Sequence, residues 1–361
     1  MFMNILIVAK NSEFGGLVGH TRNLALGLTQ KGHKVIIAIC KGEGTDRMLG
    51  DFRVEHFDWG NKNPLQLIKN YIKLRRVIRS NKIDIIHANN RIPAIYSALY
   101  CFFHPKLKYI WANHLVPLNG SLSSRILTRY GYMAVAEGSE GARMLNTTLK
   151  IPNYKIRTIN LGIDLSKFKR TTIDCQIKLR QELGITPDIK VILLYGRLCA
   201  NKGHEFLLDS IARIPNRNFK LVFPGENLEY RTILDKKANE LGLSNNLIYP
   251  GFVSGIDYLS ISDLMVLPSM HEGFPQACVE AFAMGVPVIR SKSGGYEDTA
   301  DMCFGVEYGD VDSFAKLLRD YFENSAIYNE KAVYAQTQVS RLSIERMAED
   351  YLDLYEEALR S

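Results

Sequence analysis

A chain of 361 residues is longer than one hydrophobic core ordinarily grows, so two domains are expected. With 46% apolar and 23% charged residues it has the composition of an ordinary soluble globular protein. Six cysteines stand singly, with no Cys-x-x-Cys and no His-Cys cluster, which argues for reduced thiols in a cytosolic chain and against a disulfide framework or structural zinc. The net charge of +7 is unevenly shared: 23 Lys and Arg face 10 Asp and Glu over residues 1–165, and 22 face 28 over the rest. A basic half suits an anionic partner such as a membrane surface or a phosphorylated acceptor; no nucleic-acid reading motif accompanies it. The start, MFMNILIVA, has no leader-like basic region or cleavage site, and the longest apolar stretch, near residues 94–103, is too short to span a bilayer.

Residues 4–9 (NILIVA) read as a buried strand, followed by a turn that ends on Gly15 and Gly16 and a helix over 17–30 carrying His20. A strand, two glycines and a helix start let backbone approach a ligand closely. A second strand is expected at 34–40. Residues 65–81 read as a basic amphipathic helix, with Leu65, Ile68, Ile72 and Ile78 near helical spacing among Lys69, Lys73, Arg76, Arg79 and Lys82. Its apolar stripe suits either the core or an anionic membrane. Further strands follow at 83–87, which leads to the turn at Asn89, at 109–114, which puts His114 at a carboxyl end, and at 133–136 and 156–160. Strands alternating with helices predict a parallel, doubly wound sheet.

A polar helical stretch over 164–185 bridges to a second set of strands at 190–195, 219–224, 247–249, 264–268 and 287–290. Arg197 and Lys202 follow the first of these, where two cations a short loop apart can grip a diphosphate. Gly225 and Gly251 close the next two. After 264–268 a turn delivers Glu272 to the strand's carboxyl end, where open α/β sheets bind ligands. Pro275 suits the first position of a helix over 276–284 that carries Glu280. Two carboxylates near a helix start that favours anions make sense if each accepts hydrogen bonds from sugar hydroxyls. The pair Gly294-Gly295 offers another close approach to phosphate. Residues 347–359 form a last amphipathic helix. No P-loop and no Gly-x-Gly-x-x-Gly fingerprint is present.

Taken together, these motifs resemble the retaining glycosyltransferases of the GT-B fold, in the family 4 group. The family's Gly-Arg-Leu-x-x-x-Lys-Gly stands as Gly196 to Gly203, its Glu-seven residues-Glu as Glu272 and Glu280, and its later Gly-Gly and Glu as Gly294, Gly295 and Glu297. The N-terminal glycine pair matches Gly15-Gly16. The resemblance implies an α/β chain of two Rossmann-like doubly wound domains facing an interdomain cleft. Residues 1–165 would form the acceptor-side domain, 166–341 the nucleotide-sugar domain, and 342–361 a helix packing back on the first. It further implies that Arg197 and Lys202 hold the donor diphosphate, Glu272 a sugar hydroxyl and Glu280 the ribose. Backbone at Phe274, Pro275 and Gln276 would support sugar and phosphate, with Gly225, Val253, Gly294 and Gly295 completing the donor site. Gly16 would approach the diphosphate and His114 the sugar, with Gly15, His20 and Asn89 on the acceptor side. No metal and no cofactor are implied, the two cations taking a metal's place.

The sequence departs from that family in its first half. Ile159-Asn160-Leu161-Gly162 replaces Ile-Pro-Asn-Gly, Ala136 or Ser139 stands for a common serine, and no acid occurs within 17–20. The reading is therefore a cytoplasmic transferase moving a sugar from a UDP-sugar to a glycan or lipid-linked acceptor in cell-surface polysaccharide or glycolipid assembly. Its expected partners are the nucleotide-sugar, the acceptor and an anionic membrane at the inner face of the cell membrane. The alternatives are a nucleotide-sugar epimerase of the same fold and a non-catalytic nucleotide-sugar-binding protein; a sugar phosphorylase would need a cofactor lysine and a longer chain.

Overall fold

The computed structural model describes residues 1–10, 16–114, 120–215 and 218–361. The chain divides into two compact units, Met1–Asp164 with Arg341–Ser361, and Leu165–Ser340. Each is built on one parallel sheet, so two doubly wound α/β domains are present as the strand pattern predicted.

In the first unit the strands are β1 (Asn4–Val8), β2 (Lys34–Cys40), β3 (Arg53–Phe57), β4 (Ile85–Ala88), β5 (Lys108–Asn113), β6 (Ala134–Ala136) and β7 (Ile156–Thr158). Their order across the sheet is β3-β2-β1-β4-β5-β6-β7. Isoleucine, leucine and valine fill both faces of β1 and β2, because helices cover the sheet on both sides. The order reverses between β1 and β4, which opens a crevice at their carboxyl ends. The edge strand β3 escaped the sequence reading: RVEHF buries only Phe57 and so has no apolar run to signal it.

Helices cover both faces. Gly16–Gln30 and the final helix, Ile344–Arg360, share a core with the odd-numbered residues of β1 and β2. Gly27 lets them touch, since a Cβ there would lie 2.6 Å from the Ile344 carbonyl oxygen. On the other face lie Pro64–Ser80 and Arg91–Phe103, neighbours through Tyr71 and Tyr100, whose rings are 6.4 Å apart. Asn63 caps the first of these by accepting from the Leu65 amide, and Pro64 opens it, where no N–H is needed. Its core face is Asn70, Leu74, Val77 and Ile78. Leu65, Ile68 and Ile72, expected on one apolar stripe with Ile78, instead lie on the opposite side at 69%, 57% and 51% exposure.

The second unit's strands are β8 (Lys190–Leu193), β9 (Phe219–Val222), β10 (Leu247–Ile248), β11 (Leu264–Leu267), β12 (Val288–Ser291) and β13 (Phe304–Val306), in the order β10-β9-β8-β11-β12-β13. Here the reversal falls between β8 and β11. The helical stretch expected over 164–185 is confined to Ile173–Glu182, capped by the Thr172 side chain, plus the short turn Leu165–Lys167. The three-residue β13 was also missed; FGV is too short for periodicity to show. Among the described residues no helix is long and apolar enough to cross a membrane.

Candidate active site

Strands β8 and β11 pair directly, Leu264 with Ile192 and Met265 with Leu193, so the loops leaving their carboxyl ends are neighbours. Those loops are stitched together. The Asn201 amide donates to the His271 carbonyl at 2.9 Å, and the Met270 N–H donates to the Asn201 carbonyl at 2.8 Å. That brings Lys202 Nζ within 2.7 Å of Glu272 Oε1, the two side chains only 19% and 11% exposed. Each charge neutralises the other, which is how a lysine and a carboxylate tolerate removal from water. Arg197, one loop earlier, is exposed and has no ion-pair or hydrogen-bond partner among the described residues. One engaged and one open cation thus stand at the reversal point.

Beyond Glu272 the chain turns into the helix Gln276–Ala283. Pro275 sits at the cap, one residue outside the helical position expected of it, because its φ of −79° and ψ of 105° are extended. Phe274 is buried against the glycine pair: a Cβ on Gly295 would lie 2.8 Å from the Phe274 ring, and one on Gly294 2.1 Å from the Glu272 carbonyl oxygen. Only glycines let the two loops close on each other. Glu280 is half-buried, and no described residue hydrogen-bonds its carboxylate. Burial pushes its carboxyl up to about 7. Burial, and then the charge of Glu280, push the nearby Tyr195 hydroxyl up to about 12. Gly225 donates its N–H to the Gly251 carbonyl at 2.8 Å, joining the ends of β9 and β10, and Val253 lies half-buried two residues on.

Arg290 was read only as the end of a strand. It is fully buried on β12 and lies beneath the glycine pair. Its Nη2 donates to the Ser293 carbonyl at 2.9 Å and to the Gly294 carbonyl at 2.7 Å, and its Nε to the Ser291 carbonyl at 3.1 Å. A guanidinium closing the apolar run VPVI is the signal that could have marked it.

In the first unit the carboxyl ends of β4, β5 and β6 deliver Asn89, His114 and Glu137 to one place, with His20 facing them from the Gly16–Gln30 helix. His114 Nδ1 lies 2.7 Å from Glu137 Oε1 and its Nε2 3.1 Å from Asn89 Oδ1. The His20 and His114 rings are 4.6 Å apart, and neither ring nitrogen of His20 has a hydrogen-bond partner among the described residues. Burial, then the charge of His114, lower His20 to about 3 against the opposing pull of Glu137. Burial alone would raise Glu137, but the charge and hydrogen bond of His114, with His20, outweigh it and leave the carboxyl below its ordinary range. The sequence reading named His20, Asn89 and His114 but passed over Glu137, which follows β6 as His114 follows β5. Gly16 is exposed at the start of its helix, with open space where a side chain would project, and Gly15 lies outside the described residues.

His20, His114 and Glu137 form the one trio of metal-type donors within 4.8 Å of one another among the described residues. Within that trio His114 Nδ1 lies at hydrogen-bond distance from Glu137.

Two family models match the chain: Glycosyltransferase Family 4 over residues 14–167 and Glycosyl transferases group 1 over residues 176–338. With its two parallel-sheet units, the chain belongs to the group 1 glycosyltransferases of the GT-B fold and is an enzyme of that class. An uncharacterised glycosyltransferase of Methanocaldococcus jannaschii is 26% identical over 78% of this chain and 77% of its own. An Escherichia coli enzyme named UDP-Gal:alpha-D-GlcNAc-diphosphoundecaprenol alpha-1,3-galactosyltransferase is 26% identical over 70% of this chain and 69% of its own. Among solved structures, Anabaena HepE in complex with UDP superposes with a TM-score of 0.87 at 21% identity, covering 98% of this chain and all of that one.

Proposed function

We propose that this glycosyltransferase is a retaining enzyme that takes its sugar from a UDP-sugar held by the second unit. The observation that carries the reading is the Lys202–Glu272 pair at the β8/β11 reversal, beside the open Arg197. When a donor binds, its diphosphate competes for Lys202 and releases Glu272 to accept from a sugar hydroxyl. Arg197 and Lys202 then face the negative charge that grows on the departing nucleotide, where preorganised cations act most strongly. Glu280, ionised, accepts from the ribose hydroxyls. No divalent metal is assigned to the diphosphate. The UDP in the Anabaena neighbour and the UDP-Gal in the Escherichia coli relative's name favour a uridine nucleotide.

The acceptor we assign is a glycan or a lipid-linked sugar of cell-surface polysaccharide or glycolipid assembly. That relative's name includes a diphosphoundecaprenol acceptor, and another, from Rhizobium meliloti, is named for lipopolysaccharide core biosynthesis. Peripheral contact with an anionic membrane at its cytoplasmic face belongs to the same reading.

Calorimetry with UDP tests the donor assignment. Glu280→Ala should weaken UDP binding about tenfold or more, on the scale of a lost charge-assisted hydrogen bond. Glu272→Ala should leave UDP affinity near that of wild type while slowing transfer. Equal losses in both variants would contradict these roles.

A further inference from the structure

Arg290 is a buried cation with no carboxylate paired to it among the described residues. A guanidinium only donates, so each of its contacts has one reading. Nε goes to the Ser291 carbonyl and the two protons of Nη2 to the Ser293 and Gly294 carbonyls, while Nη1 is buried without a partner among the described residues. Its charge reaches two thiols, Cys278 and Cys303. Burial pushes them up to about 12 and about 11 against the pull of Arg290, so neither supplies a negative charge. A cation buried on those terms is costly, and an alkyl side chain would occupy the position at less cost.

What the guanidinium does is orient the turn above it. The Tyr296 N–H donates to the Ser293 carbonyl at 3.0 Å, and Gly295 sits at φ +74°, the left-handed conformation that a type II turn requires at its third residue. The carbonyls leading through the turn are all engaged: Ser293 and Gly294 by Arg290, and Gly295 by the Thr299 hydroxyl at 2.7 Å. Across a trans peptide the carbonyl and the following N–H point to opposite sides. The N–H groups of Gly294 and Gly295 therefore both point away from Arg290. Both glycines are buried, yet no described residue accepts from either N–H. Buried N–H groups without an acceptor are rare, and successive ones turned to one side make an anion-binding concavity. A carbonyl drawn to a cation also makes the N–H of its own peptide group a stronger donor. Strands β11 and β12 pair, and a side chain on either glycine would strike the Glu272–Phe274 loop. The two donors thus belong to the same end of the second sheet as Lys202 and Glu272.

We propose that Arg290 is a positioning residue that, from behind the turn, aims the N–H groups of Gly294 and Gly295 at an oxygen of the donor diphosphate. Its charge acts on that anion through two peptide groups without touching it. That the anion belongs to the donor rests on the proposed function; the direction of the two N–H groups does not.

Nitrogen-15 NMR of the full chain labelled at glycine tests it, with titration by UDP, uridine and inorganic pyrophosphate. The two amides are assigned through carbonyl-labelled serine and glycine. In wild type the Gly294 and Gly295 amide protons should move downfield with UDP and with pyrophosphate, and stay in place with uridine. By calorimetry Arg290→Met should weaken UDP binding about tenfold or more, the scale of a lost charge-assisted hydrogen bond, and leave uridine binding unchanged. Arg290→Lys keeps the charge but not the fork, and should fall between. If wild type binds UDP and both amides stay in place, the proposal is overturned whether or not the variants fold. Undiminished UDP affinity in Arg290→Met, or an equal loss for uridine, also overturns it, the second outcome marking a residue that only supports packing. If pyrophosphate moves both amides while UDP does not bind, the donor reading fails and the turn stands as an anion site. If neither anion moves them, the turn has no such role.

Discussion

Lys202 and Glu280 are placed so differently that their substitution should fail in different ways. Lys202 begins paired with Glu272, and under the proposed function it acts most strongly when charge develops on the leaving nucleotide. Lys202→Ala should lower kcat by about a hundredfold or more, the scale of losing one preorganised electrostatic donor. A variant that raised only KM would contradict that role. Glu280 is a carboxyl lifted by burial from 4.5 to about 7. The folded chain therefore binds this proton more tightly than the unfolded chain, and its contribution to stability falls as pH rises through that window. Glu280→Gln resembles the protonated form. It should match wild type in thermal unfolding near pH 4.5, and unfold at a higher temperature once pH exceeds about 7. An equal difference at both pH values would show that ionisation of Glu280 is not the cause.

Among the elements, the Pro64–Ser80 helix gains a meaning from its packing that its sequence left open. Its outward stripe runs Leu65, Ile68, Ile72, Arg76 and Arg79, at spacings of three and four, with Lys69 beside it. The neighbouring Arg91–Phe103 helix, on the same face of the sheet, exposes Leu99, Phe102 and Phe103. Exposed apolar groups beside several cations suit insertion at an anionic lipid surface. Lys73 does not belong to that surface: its ammonium is 2.5 Å from the His56 carbonyl and lies over the Phe57 ring. The protein should co-sediment with anionic vesicles at low salt, and weakly with neutral ones. Changing Lys69, Arg76 and Arg79 to Glu should abolish binding, and Ile68→Ser with Ile72→Ser should weaken it even at low salt. If wild type ignores anionic vesicles, the stripe is an ordinary solvated face.

Across the whole molecule, legibility in the sequence followed burial and periodicity. Strands buried on both faces, such as NILIV and LMVL, announced themselves as apolar runs, and their alternation with helices fixed the parallel sheets. RVEHF and FGV did not, one being a polar edge and the other three residues long. In the second unit Arg197 and Lys202 follow one strand, and Glu272 and Glu280 follow the strand paired with it, so two short local patterns were enough to single them out as candidates. Arg290 was hidden because a buried cation held by carbonyls has no sequence periodicity. In the first unit Glu137 was hidden because its meaning depends on the loops after β4, β5 and β6 converging.

The account's central claim is that the second unit holds a UDP-sugar from which the sugar departs with its configuration kept. Proton NMR of the purified enzyme with a panel of α-linked UDP-sugars, read at the anomeric proton, tests it directly. One donor should be consumed, by transfer or slow hydrolysis, releasing UDP and giving the α-configured sugar first. A β-configured first product, an epimerised donor that keeps its UDP, or no turnover of any UDP-sugar would contradict it.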